Sequence, residues 1–96
     1  MSGELTIIGE YGPVRAALAK ALESFAAEVT ENDGIIGHIK ASAEVTSVEM
    51  FSVTDEEVMV KSAPQQEIAI ILAAIIFGIL EPEAEAMGKK ALETLL

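Results

Sequence analysis

The segment 68–80, IAIILAAIIFGIL, constrains this chain more than any other. It holds thirteen residues without one charged or polar side chain, in a protein of net charge −10. Such a run has to leave water. It is too short to cross a bilayer as a helix, which takes about 20 apolar residues. It is therefore an interior element, and the way it is covered sets the architecture.

Two conformations fit its pattern. As a helix, Ile68, Ile71, Leu72, Ile75, Ile76 and Ile79 form one stripe, with Ala69 and Ala73 beside it. As a strand, both faces are apolar, as in a sheet covered on both sides. The many β-branched isoleucines and Phe77 favour the pleat. Gly78 suits a bulge or close contact, and Glu81-Pro82-Glu83 opens a new helix with almost no loop before it. The balance goes to the strand.

The flanking sequence supplies helices and further strands. Residues 13–31 carry Val14, Ala17, Leu18, Ala21, Leu22, Phe25, Ala26 and Val29 at helical spacing, with Arg15, Lys20, Glu23, Glu28 and Glu31 off the stripe. Asn32-Asp33-Gly34 stops that helix, with Gly34 expected to take the positive φ. Residues 34–45 alternate, with Ile35, Ile39, Ala41, Ala43 and Val45 against His38, Lys40, Ser42 and Glu44. A second strand is expected over 48–53 after a weak turn at Thr46-Ser47, and a third over 57–62 after Asp55-Glu56. A short strand over 5–10 is a further candidate. Residues 82–96 form the last helix, with Ala84, Met87, Ala91, Leu92 and Leu95 on one face. Its glutamates precede Lys89-Lys90, the order the helix dipole prefers.

These elements predict a single α+β domain over 1–96. Two amphipathic helices pack on one face of a four-stranded, mainly antiparallel sheet, in the order α-β-β-β-β-α, with the extra N-terminal strand as an option. Two helices cover one face only. A strand apolar on both sides then asks for a second cover, and an identical subunit is the simplest one. Composition agrees: 51% of residues are apolar, in a chain whose size buries only roughly 60–65% of its unfolded surface.

Charge and composition exclude several functions. Sixteen acids against six bases repel phosphate backbones and anionic membranes. Nucleic acid and membrane are not expected partners. The absence of cysteine removes disulfides, thiolate metal sites and cysteine nucleophiles. The first residues, MSGELTIIGEYG, lack the basic and apolar regions of a signal peptide, so a cytoplasmic location is expected. No cofactor motif and no metal-ligand spacing is present, and one histidine cannot serve the serines as a hydrolytic triad.

The candidate chemical residues are few. His38 is the only histidine; it should share a strand face with Lys40 and Glu44, and Glu49 should lie near on the next strand. That set is the candidate acid/base group. Arg15, after Gly9 and Gly12 at the first helix, is the candidate for an anionic ligand. The leading functional expectation is a small, acidic, self-associating binding, regulatory or accessory protein without catalysis, with another protein as a further partner. The alternative is a small-ligand binder or enzyme whose site forms at a subunit interface around His38.

Overall fold

A computed structural model describes the backbone of residues 1–54 and 57–96, and the side chains of 1–47, 51, 53 and 66–96. The elements are β1 (Ser2–Gly9), α1 (Tyr11–Glu31), β2 (Ile35–Thr54), β3 (Glu57–Phe77) and α2 (Glu81–Glu93). They build a three-stranded sheet in the order β1-β3-β2, with both pairings antiparallel. Both helices pack on one face of it. The fold is α+β, as the patterning implied.

The strand count and order are corrected. The two strands expected at 34–45 and 48–53 are one strand, β2, because Thr46 and Ser47 continue the ladder against Glu67 and Gln66. Neither residue demands the positive φ that would turn the chain. The strands expected at 57–62 and 68–80 likewise fuse into β3. The segment read as an optional strand is β1, which pairs with β3 from Ser2↔Ala73 to Gly9↔Gln66. The real order is β-α-β-β-α. The expected Asp55-Glu56 turn lies outside the described residues.

The apolar run is a strand through Phe77, and it occupies the centre of the sheet. Its even positions face the helices: Ile68, Ile70 and Leu72 are fully buried and Ala74 nearly so. Ala21, Phe25 and Val29 of α1 and Ala91 and Leu92 of α2 close the core above them. Both predicted helix stripes are therefore the packed ones. Gly88 joins the α2 stripe because a Cβ there would run into the Met1 side chain and lie 3.5 Å from Leu72.

One bulge changes which residues face the core. The register shifts between Ile36 and His38, leaving Gly37 as the extra residue. Ile36 and Ile39 thus both point inward, while Ile35 and His38 both point outward. Simple alternation had put Ile35 with the core residues; the bulge moves it to the other side.

The α1–β2 corner also differs in detail from expectation. The Gly34 amide donates to the Val29 carbonyl at 2.9 Å and the Asp33 amide to Thr30 at 3.1 Å. This is the Schellman closure of a helix. The residue in the left-handed region is Asp33, at φ 61°, and not Gly34. Gly34 is needed for space: a Cβ there would stand 2.6 Å from Ile79 Cδ1 and 2.8 Å from Val29 Cγ1.

The β2–β3 ribbon outruns the rest of the fold. β1 ends opposite Gln66, and beyond that row only two strands are paired. The register resumes at Glu49↔Ser62 after an irregular step in which Val48 opposes Ala63, Pro64 and Gln65. A proline has no N–H to give to a ladder, which accounts for the break. The result is an elongated molecule of 66 × 18 × 17 Å, with a helix-covered body and a two-stranded arm.

Candidate functional site

Among the described residues, nothing covers the face of the sheet turned away from the helices. Its central row comes from the odd positions of β3. Ile71, Ile75 and Phe77 remain 54%, 56% and 58% exposed, whereas their neighbours Ile70 and Leu72 are buried. Ala69 and Ala73 complete the row. Ile35 of β2, opposite Phe77, and Ile8 of β1, opposite Glu67, are exposed at its two ends.

Polar residues line both sides of this apolar row. On β2, His38, Lys40, Ser42 and Glu44 lie opposite Ile75, Ala73, Ile71 and Ala69. On β1, Ser2, Glu4 and Thr6 lie opposite Ala73, Ile71 and Ala69. All of these flanking residues are exposed. The pattern is an apolar strip with a polar rim, the usual anatomy of a protein contact surface. Along the β2 side of the row, His38 and Lys40 sit at the Phe77 end and Glu44 sits at the arm end.

The structure brings together part of the sequence-derived set. His38, Lys40 and Glu44 share one exposed edge of the open face. Glu49 lies further along β2, past the irregular step and in register with Ser62; its side chain is outside the described residues. Arg15 is exposed on α1, which packs on the opposite side of the sheet, so it is not placed with His38.

Two of the grooves formed by the described residues lie away from the open face. One, of about 460 Å³, separates the helices beside Phe25 and Ala91, where Lys90 reaches Glu28 at 3.4 Å. The other, of about 430 Å³, runs between β1 and α2 over Leu5, Leu92 and Leu96, with Glu85 and Lys89 at its rim. Neither is lined by His38, Lys40, Glu44 or Arg15. Among the described residues no group of three acidic or histidine side chains converges as a metal site.

Sequence reasoning missed Gln66. Its side-chain carbonyl accepts the Tyr11 amide at 3.1 Å, and its amide group donates to Ser47 Oγ at 3.0 Å. It ties the start of α1 to the last three-stranded row of the sheet. No side chain caps α1 from its own N-cap residue, Glu10, so Gln66 takes that role from across the fold.

Among the described residues no helix is long and apolar enough to cross a membrane. No known family model, curated protein or solved structure matches the chain.

Proposed function

We propose that the protein is a small, acidic, self-associating binding or accessory module whose open sheet face is its contact surface. The observation that carries this reading is the outward row of β3. Ile71, Ile75 and Phe77 are each more than half exposed on a strand whose inward row is closed by the helices. A soluble surface tolerates scattered apolar residues, but a continuous row along one central strand marks a contact.

Magnitudes show what the face contributes. Full burial of such a side chain is worth roughly 1.5–3 kcal/mol, so covering the remaining half yields on the order of 1 kcal/mol each. Three per copy bring about 6 kcal/mol to a dimer, against an association cost of about 4–15 kcal/mol. The face promotes association without securing a tight complex by itself.

Sedimentation velocity on the intact chain tests the reading. The wild type is expected to associate at micromolar concentration, and the double variant Ile71→Lys, Ile75→Lys to sediment as a folded monomer. A wild-type chain that stays monomeric throughout the micromolar range would overturn it.

A further inference from the structure

Resting on that self-association, we infer that the free edge of β2 is a second contact between copies, paired antiparallel to itself about a two-fold axis at Ser42.

β2 is an edge strand, bonded to β3 alone. The N-terminus shows which of its residues turn their peptide groups outward. Met1 and Ala74 exchange both backbone bonds, at 2.7 and 2.9 Å, so Ala74 directs its N–H and C=O towards β1. Strand alternation then turns Ile71 and Ala73 towards β2, where they meet Ser42 and Lys40. The N–H and C=O groups of Ile39, Ala41, Ala43 and Val45 therefore point to the free side. Such a row is a template for another strand. The margin is also incompletely covered. Ile39, Ala41 and Ala43, on the helix side, are only half-buried and Val45 is exposed, whereas Ile68, Ile70 and Leu72 on β3 are fully buried.

The edge is complementary to itself. Between the bulge at Gly37 and the irregular step after Ser47, residues 38–46 read HIKASAEVT. Paired with a second copy about Ser42, Lys40 faces Glu44 twice, Ile39 faces Val45 and Ala41 faces Ala43. The Lys40–Glu44 pairs fall at non-hydrogen-bonded positions, where side chains approach most closely. Centring the pairing on Ala41 or Ala43 would instead leave Lys40 opposite Ser42 or Thr46. At the ends of the new ladder Gly37 meets Ser47, so the two irregular points bound it on both sides. The stretch carries one base and one acid, and so no net charge, in a chain of −10.

This pairing puts both sets of helices on one side and both open faces on the other, and the two three-stranded sheets become one of six strands. The contact is isologous and closes at two copies. By itself it covers mostly alanine and exchanges bonds to water for peptide bonds of modest net worth. It therefore holds copies together only beside the open-face contact. Two edge-joined pairs laid face to face engage two open faces at once, which makes the assembly a tetramer.

Sedimentation of charge variants tests the edge. Lys40→Glu and Glu44→Lys each place two like-charged pairs in the ladder. Each is expected to remain a face-held dimer, with tetramer formation weakened about tenfold. An equimolar mixture of the two restores both Lys–Glu pairs and is expected to recover the tetramer. Variants that assemble like wild type, or a mixture that assembles no better than either alone, would overturn the edge pairing and leave the open-face reading standing. A monomeric wild type would remove both. Ser42→Cys then locates the contact, because the chain has no cysteine of its own. Paired strands bring its two Cα atoms to about 4.5 Å, within disulfide reach, whereas stacked sheets stand about 10 Å apart. Rapid disulfide dimers under mild oxidation are expected, and their absence would end the proposal.

Discussion

Ile75 stands directly across the β3–β2 ladder from His38, and both side chains lie on the sheet face that the helices leave open. The pair joins the apolar row to its polar rim. Exposed His38 gains little from its position within one copy. His38→Val would turn the pair into two β-branched aliphatics, an arrangement that stabilises antiparallel ladders by roughly 0.2–1 kcal/mol. The expected outcome is a small rise in the urea midpoint under dilute, monomeric conditions. A fall of more than about 1 kcal/mol would show that His38 makes contacts of its own within the chain.

Gln66 makes a different prediction. Its two hydrogen bonds link α1, β2 and β3 at the point where the sheet narrows to two strands. Gln66→Ala removes both. A typical intramolecular hydrogen bond contributes about 1 kcal/mol, so a loss of about 1–2 kcal/mol is expected. The local readout is amide exchange at Tyr11, which should accelerate more than amides in the middle of α1. Uniform acceleration along α1 would mean that the cap has no local role.

The α1–β2 corner yields a pair of opposite effects. Asp33 holds a left-handed conformation that costs a side-chain-bearing residue roughly 1–2 kcal/mol relative to glycine. Asp33→Gly is therefore expected to stabilise the fold by about 1 kcal/mol, part of the gain being lost to the freer unfolded chain. Gly34→Ala should destabilise it by about 1–3 kcal/mol, because the new methyl meets Val29 and Ile79 inside the Schellman closure. Thermal unfolding of the two single variants checks both signs. Had Gly34 been the left-handed residue, Asp33→Gly would give no gain.

That corner also illustrates what the residues disclose by themselves. Asn32-Asp33-Gly34 announces a helix stop, and the stop is there; the residue in the left-handed region is Asp33, from which the Asp33 and Gly34 amides close back onto Thr30 and Val29. The stripes of α1 and α2 were legible because helical spacing is local, and Phe25, Val29, Ala91 and Leu92 pack as it implies. The run 68–77 was legible as a strand through its isoleucines. Its fusion with the segment before it was not, because Pro64 signals a break that the long ribbon absorbs as an irregularity. Ile35 was assigned the wrong face because Gly37 shifts the parity, and a glycine near a strand end marks a bulge only when the partner strand is known. The edge bearing His38, Lys40 and Glu44 followed from alternation alone. The two-stranded arm followed from pairing and could not be read from either strand separately.

The last prediction separates the two faces of β3 with adjacent residues. Leu72 is fully buried beneath the helices, where a Cβ at Gly88 would already be in contact with it, whereas Ile71 is 54% exposed on the other side. Leu72→Ala empties a packed site and is expected to cost about 2–5 kcal/mol in the unfolding free energy of the chain. Ile71→Ala removes methyl groups that the single copy leaves largely in water, so its cost under dilute conditions should stay below about 1.5 kcal/mol. At higher concentration the order changes for association: Ile71→Ala should weaken self-assembly several-fold, while folded Leu72→Ala should assemble like wild type. Urea titrations at two protein concentrations measure both effects together. The wild-type midpoint should rise with concentration through mass action, and Ile71→Ala should flatten that rise. An equally steep rise in both proteins would show that the outward row of β3 takes no part in assembly.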